Sequence, residues 1–182
     1  MEDRMDVERV KKEMGLFERI LTYVPGYRGY KEKELRRETD ILVRRKVSSV
    51  LSEARALLNS PLPPSTARRL AYDQDSKFFF ENLRAELDRI TQRMDKAVAG
   101  YAGLFDAVKV REDKLDAVLR HDLSLIEKAE SIRTSIADLL TKELGTEDWR
   151  GKLAQLRQAV AEFDGLIDER SRILKGLSEV GG

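Results

Sequence analysis

The sequence predicts an all-α chain: an elongated antiparallel bundle, or coiled coil, of about four to five long helices. Three observations carry that reading. Apolar residues recur at steps of three and four along most of the chain, the spacing of one helix face. Charged residues make up 37% of the 182 residues against 41% hydrophobic ones. That balance belongs to long amphipathic helices rather than to a disordered chain. All four prolines, at positions 25, 61, 63 and 64, precede residue 65, so no proline stops a helix after that point.

The elements follow in order. Val7, Val10, Met14, Phe17, Leu21 and Val24 form a stripe that ends at Pro25-Gly26, a turn dipeptide. The second helix runs from about Tyr30 to Asn59, with Val43, Val47, Val50, Ala54 and Leu57 on one face. "NSPLPPS" ends it, and Ser65 or Thr66 is placed to cap the next helix. Phe80, Leu83, Leu87, Ile90, Met94, Ala97, Tyr101, Leu104 and Val108 then keep the rhythm. Leu115, Val118, Leu125, Ala129, Ile132, Ile136 and Leu139 continue it in the same phase, interrupted at Arg111 and Asp122. The phase slips across "GTEDWRG", a corner at 145–151 where Thr146 is placed to cap and Trp149 to anchor. The last helix carries Leu153, Leu156, Val160, Phe163, Ile167, Leu174 and Leu177, with Arg170 in one seam position.

Residues 1–60 therefore read as a helical hairpin turning at a Tyr/Gly corner over 23–30, and 65–182 as long coiled-coil-like helices, within one structural unit. Unbroken phase favours a single helix over 66–144, about 120 Å long. Gly100 and Gly103 cost only about 1 kcal/mol each and cannot force a break. Two antiparallel helices are the alternative.

Charge and composition narrow the function. The net charge is +1, from 34 basic and 33 acidic residues, so the whole chain offers no field for a polyanion. Cysteine is absent, which excludes disulfides and thiolate chemistry and fits a reducing cytoplasm. The N-terminus has no signal-type apolar core, and no apolar run approaches the roughly 20 residues of a membrane span. The expected location is cytoplasmic, or peripheral at a membrane surface.

Sites for chemistry are sparse. His121 is the single histidine, short of the partners that hydrolytic triads and metal sites demand. Asp122 beside it, in a seam position, is better placed to pair across helices or set register. "PGYRGYK" lacks the strand and the Gly-Lys-Ser/Thr ending of a phosphate-binding loop. No catalytic residue, metal, cofactor or small-molecule substrate is expected, and the chain does not read as an enzyme.

Three surfaces remain. Around the corner, Tyr23, Tyr27, Arg28, Tyr30, Arg36 and Arg37 are candidate partner-binding residues. Interleaved acids such as Glu32, Glu34 and Glu38 neutralise that stretch, which disfavours nucleic acid and leaves a solvated, ion-paired corner as the plainer reading. "FFF" at 78–80 points three rings to adjacent faces: either a broad core layer, or an exposed patch. Phe17, Phe78 and Phe79 are accordingly candidate interface residues. The first helix, with Met5, Val10, Met14, Leu16, Phe17, Ile20 and Leu21 on its apolar side, could also lie in a membrane interface.

"MGLFERI" and the long charge-rich helices after it are similar to the phage-shock-protein-A and ESCRT-III-like class of membrane-remodelling proteins. That resemblance implies a peripheral membrane role, and the tyrosine-glycine corner departs from its pattern. The residues themselves predict a helical scaffold that binds a protein partner or associates with itself through its heptad seams.

Overall fold

The computed structural model describes residues 15–96 and 110–176, and these are helical with no strand among them. The apolar stripe before residue 15, the glycines at 100 and 103, and Leu177 fall outside the described residues. No described helix is long and apolar enough to cross a membrane.

Helix α1 covers residues 15–23. It stops at Pro25-Gly26, where Gly26 takes φ +86°, a conformation that any Cβ would strain. A 3₁₀ turn at Lys33–Leu35 leads into α2 (Arg36–Asn59), which ends at the proline cluster. Helix α3 (Pro64–Tyr72) starts on a proline, with Pro63 at the N-cap. Ser65 and Thr66 therefore sit inside the first turn rather than capping it. Proline suits that first position because its φ is preset and its missing N–H would have had no helical partner.

Asp73 then separates α3 from α4 (Gln74–Lys96). Its backbone is extended at φ −94°, ψ 90°. One carboxylate oxygen accepts from the Ser76 N–H at 3.0 Å and the other from the Ser76 hydroxyl at 2.6 Å. Those bonds hold the Asp73 carboxyl below its usual pKa and cap α4. Helix α5 (Glu112–Thr141) and helix α6 (Glu147–Gly176) both open on two acids, which favours their N-terminal dipoles. Between them Gly145 has φ +82°. Thr146 accepts the Trp149 N–H at 3.3 Å, so the cap and the indole anchor stand where the sequence places them.

The described residues fall into two compact units. Unit 2 takes residues 47–96 and 127–165. Within it α4 runs antiparallel to α2, as Ser48–Asp95, Arg55–Asp88 and the bond from Arg84 to the Leu58 carbonyl show. Helix α4 is parallel to α6, through Phe80–Trp149 and Arg93–Asp164. Helix α5 is antiparallel to α6, through Lys128–Glu162 and Lys142–Asp148. This settles the central helix. Arg93 and Lys128 both reach residues 162–164 of α6; one continuous helix would hold them about 50 Å apart. The single-helix expectation fails, because phase can persist across a chain reversal when both helices bury a face in one core. The unit's core includes Val47, Leu51, Leu58, Phe80, Leu83, Leu87, Ile90, Met94, Ile132, Ile136, Leu139, Trp149, Leu156 and Phe163.

Unit 1 takes the described residues before 47, those of 110–126, and those from 166 onward. Ile20, Val24, Val43, Val118, Leu125, Ile126, Ile167 and Leu174 form its apolar core. Tyr27, Tyr30, Arg36, Asp40, Asp122 and Arg170 are buried among them.

Candidate functional site

Unit 2 carries the exposed aromatic face. On α4 the core stripe is Phe80, Leu83, Leu87, Ile90 and Met94, at steps of three and four. A helix turns about 100° per residue, so Phe78 and Phe79, two places and one place before Phe80, point away from that stripe. They are 61% and 39% exposed, and Tyr72 at the end of α3 is 85% exposed. The broad core layer expected of "FFF" is thus limited to Phe80. The rings of Phe78 and Phe79 meet edge-on with centroids 5.6 Å apart.

Phe79 also forms one wall of a cavity of about 290 Å³, with Asp75, Ser76, Trp149, Arg150, Leu153, Ala154 and Arg157 around it. The Arg157 guanidinium lies 5.0 Å from the centre of the Phe79 ring, a cation–π arrangement. Its Nε is buried without a hydrogen-bond partner. Arg150, by contrast, reaches the Asp73 carboxylate at 3.2 Å. Neither Tyr72 nor Arg157 stands out in the sequence, since exposure and lack of an ion partner are set by chain neighbours that periodicity does not name.

Unit 1 accounts for the tyrosine corner differently. Tyr27, Tyr30 and Arg36 are each no more than 2% exposed and belong to the interior of the unit. Arg36 donates from Nε to the Tyr30 carbonyl at 2.7 Å, and Thr39 donates to the Gly29 carbonyl at 2.8 Å. These bonds satisfy the backbone of a turn buried under its own side chains. Arg36 was expected in a solvated first turn; the buried carbonyls draw it inward. Tyr23 is half-buried, while Arg28 and Arg37 are exposed. Phe17 is half-buried against Tyr27, centroids 5.6 Å apart, on the edge of a cleft of about 510 Å³ that Leu21, Tyr30, Leu115 and Leu119 also line. The structure therefore brings Phe78 and Phe79 together, and buries half of the corner.

Arg170 is the centre of the buried polar group. It donates to Asp40 at 2.8 Å and to the Tyr30 hydroxyl at 3.0 Å from Nη2, and to Asp122 from Nη1. Tyr27 donates to the other Asp122 oxygen at 3.1 Å, and Arg44 donates to Asp40 at 2.8 Å. Two arginines, Arg170 and Arg44, thus meet two carboxylates, Asp40 and Asp122, within this group. Burial opposes the Arg170 charge, but Tyr30 and Asp40 outweigh it and raise its pKa above the usual arginine value. Burial pushes the Tyr27 hydroxyl well above the ordinary phenol range, so it remains a donor. The seam position of Asp122 is used for pairing across helices, as its place in the pattern suggests.

His121 lies beside this group. Its Nε2 is 2.9 Å from the Leu166 carbonyl and carries the proton, since a carbonyl only accepts. Its Nδ1 is 3.9 Å from Glu169. Burial first, and Arg170 second, lower its pKa below 6.5, against smaller opposing pulls from Glu169 and Leu166. The unfolded chain therefore takes up a proton before the folded one does. Stability falls as pH drops from 6.5 towards the folded value, and levels off below it. His121→Gln, which keeps a donor for Leu166, should flatten that acid-side slope in urea unfolding measured across pH; an unchanged slope would assign it to other groups.

Among the described residues no group of three His, Asp or Glu side chains is placed to hold a metal ion. Comparison with protein-family models, with curated proteins and with solved structures finds no match to this chain.

Proposed function

We propose that the chain is a non-enzymatic helical scaffold that self-associates through the exposed face of Phe78 and Phe79. One observation carries this reading: Phe78, a full phenyl ring near the start of α4, stays 61% exposed beside a second exposed phenylalanine. Exposed single hydrophobes are ordinary, whereas adjoining large rings mark contact surfaces. Fully burying an exposed phenylalanine contributes about 1.5–3 kcal/mol; Phe78 retains more than half of that for a contact and Phe79, 39% exposed, a smaller share. The polar core of unit 1 is consistent with a structural role, because its acids, arginines and tyrosines are bonded to one another.

The test is mass against concentration, by light scattering behind a sizing column and by sedimentation. The wild-type chain should rise above its 20.9 kDa monomer as concentration increases. Phe78→Ser should weaken the association at least tenfold while leaving helicity unchanged. A wild-type chain that stays at monomer mass throughout would refute the proposal.

A further inference from the structure

We infer that two copies of the chain meet about a two-fold axis at this face, with Asp75 of each copy against Arg157 of the other. The inference rests on the self-association reading and adds the polar contacts that would fix its geometry.

Asp75 and Arg157 line the same 290 Å³ cavity, as does Phe79. Neither has an ion-pair partner among the described residues. Arg157 rests on the Phe79 ring with its Nε buried and unsatisfied. Asp75 is exposed in the first turn of α4. The neighbouring charges are already engaged: Asp73 holds Arg150 and Ser76. The cavity lining thus includes one cation and one anion with no ion-pair partner among the described residues, together with a partly exposed aromatic ring.

A two-fold interface repeats every contact in reverse: where one copy brings residue i to residue j, the other brings j to i. A patch with one acid and one arginine is self-complementary under that operation, and yields two ion pairs from one of each charge per copy. Arginine takes a carboxylate in a two-pronged bond, stronger than a neutral hydrogen bond, and the rings beside it exclude water. An aromatic centre with a paired polar rim is the usual anatomy of a specific contact.

The test is charge reversal. Asp75→Arg alone would place two arginines at each contact, and Arg157→Glu alone two acids. Each variant should sediment as a monomer at concentrations where the wild type is dimeric, a loss of at least tenfold in association. Mixing the two variants should restore the dimer mass, because one chain then offers two cations and the other two anions. The mixture also shows that both variants fold, and the double variant in one chain should dimerise as well. Single variants that associate like the wild type, or a mixture that stays monomeric, would overturn the pairing. Phe78→Ser losing the dimer while charge reversal does not would keep the self-association reading and remove this one.

Discussion

Replacing Arg170 with methionine should destabilise the protein by about 3–5 kcal/mol, the cost of leaving a buried charge without its partner. The methionine fills much of the same volume, but Asp40 and Asp122 would then lie 1% and 0% exposed with their cation gone. Arg44 still pairs with Asp40; Asp122 would keep only the Tyr27 hydroxyl. Adding Asp122→Asn to Arg170→Met should recover much of the loss, since the uncompensated charge, rather than the missing contact, is the larger penalty. Urea midpoints for the single and double variants decide it. If the single variant loses under about 1 kcal/mol, a low-dielectric pocket is the wrong description of this site.

The second large effect separates neighbouring phenylalanines. Phe80→Ala should cost about 3–5 kcal/mol, the range for removing a buried ring and leaving a cavity. Phe80 is 2% exposed, its ring centre 6.4 Å from that of Trp149, with the Arg84 guanidinium 4.6 Å above it. Phe78→Ser, two residues away, should change stability by no more than about 0.5 kcal/mol, because its ring is mostly in water. Thermal and urea unfolding of the two variants measure the contrast. Comparable losses at both positions would mean that Phe78 is covered in the folded chain, and would undercut its role as a contact surface.

The helices and their buried faces are legible in the sequence because they need only local spacing. Phe80, Leu83, Leu87, Ile90 and Met94 read as a stripe, and all five are buried. At the end of α2 the reading slips by one residue: Leu58 is fully buried where Leu57 was expected. The chain reversal between α4 and α5 was not legible, since each helix separately satisfies the same period. The tyrosine corner misleads for a related reason. Asp40 looks like part of a solvated charge run until Arg170, 130 residues beyond it, supplies the cation that makes its burial tolerable, and Arg36 looks so until the Tyr30 carbonyl draws it inward. Asp75 and Arg157 were invisible for the opposite reason, because what distinguishes them is that neither forms an ion pair among the described residues, although they line one cavity.

The bond from Arg170 to the Tyr30 hydroxyl spans 140 positions. During synthesis, then, the turn around Tyr27 and Tyr30 leaves the ribosome long before the guanidinium that completes its interior exists. Until α6 emerges, those phenols and Asp122 have to stay hydrated, and unit 1 cannot close. Unit 2 has its full complement once residue 165 is made, so locking of the tyrosine turn is a late event that waits on a contact between distant parts of the chain.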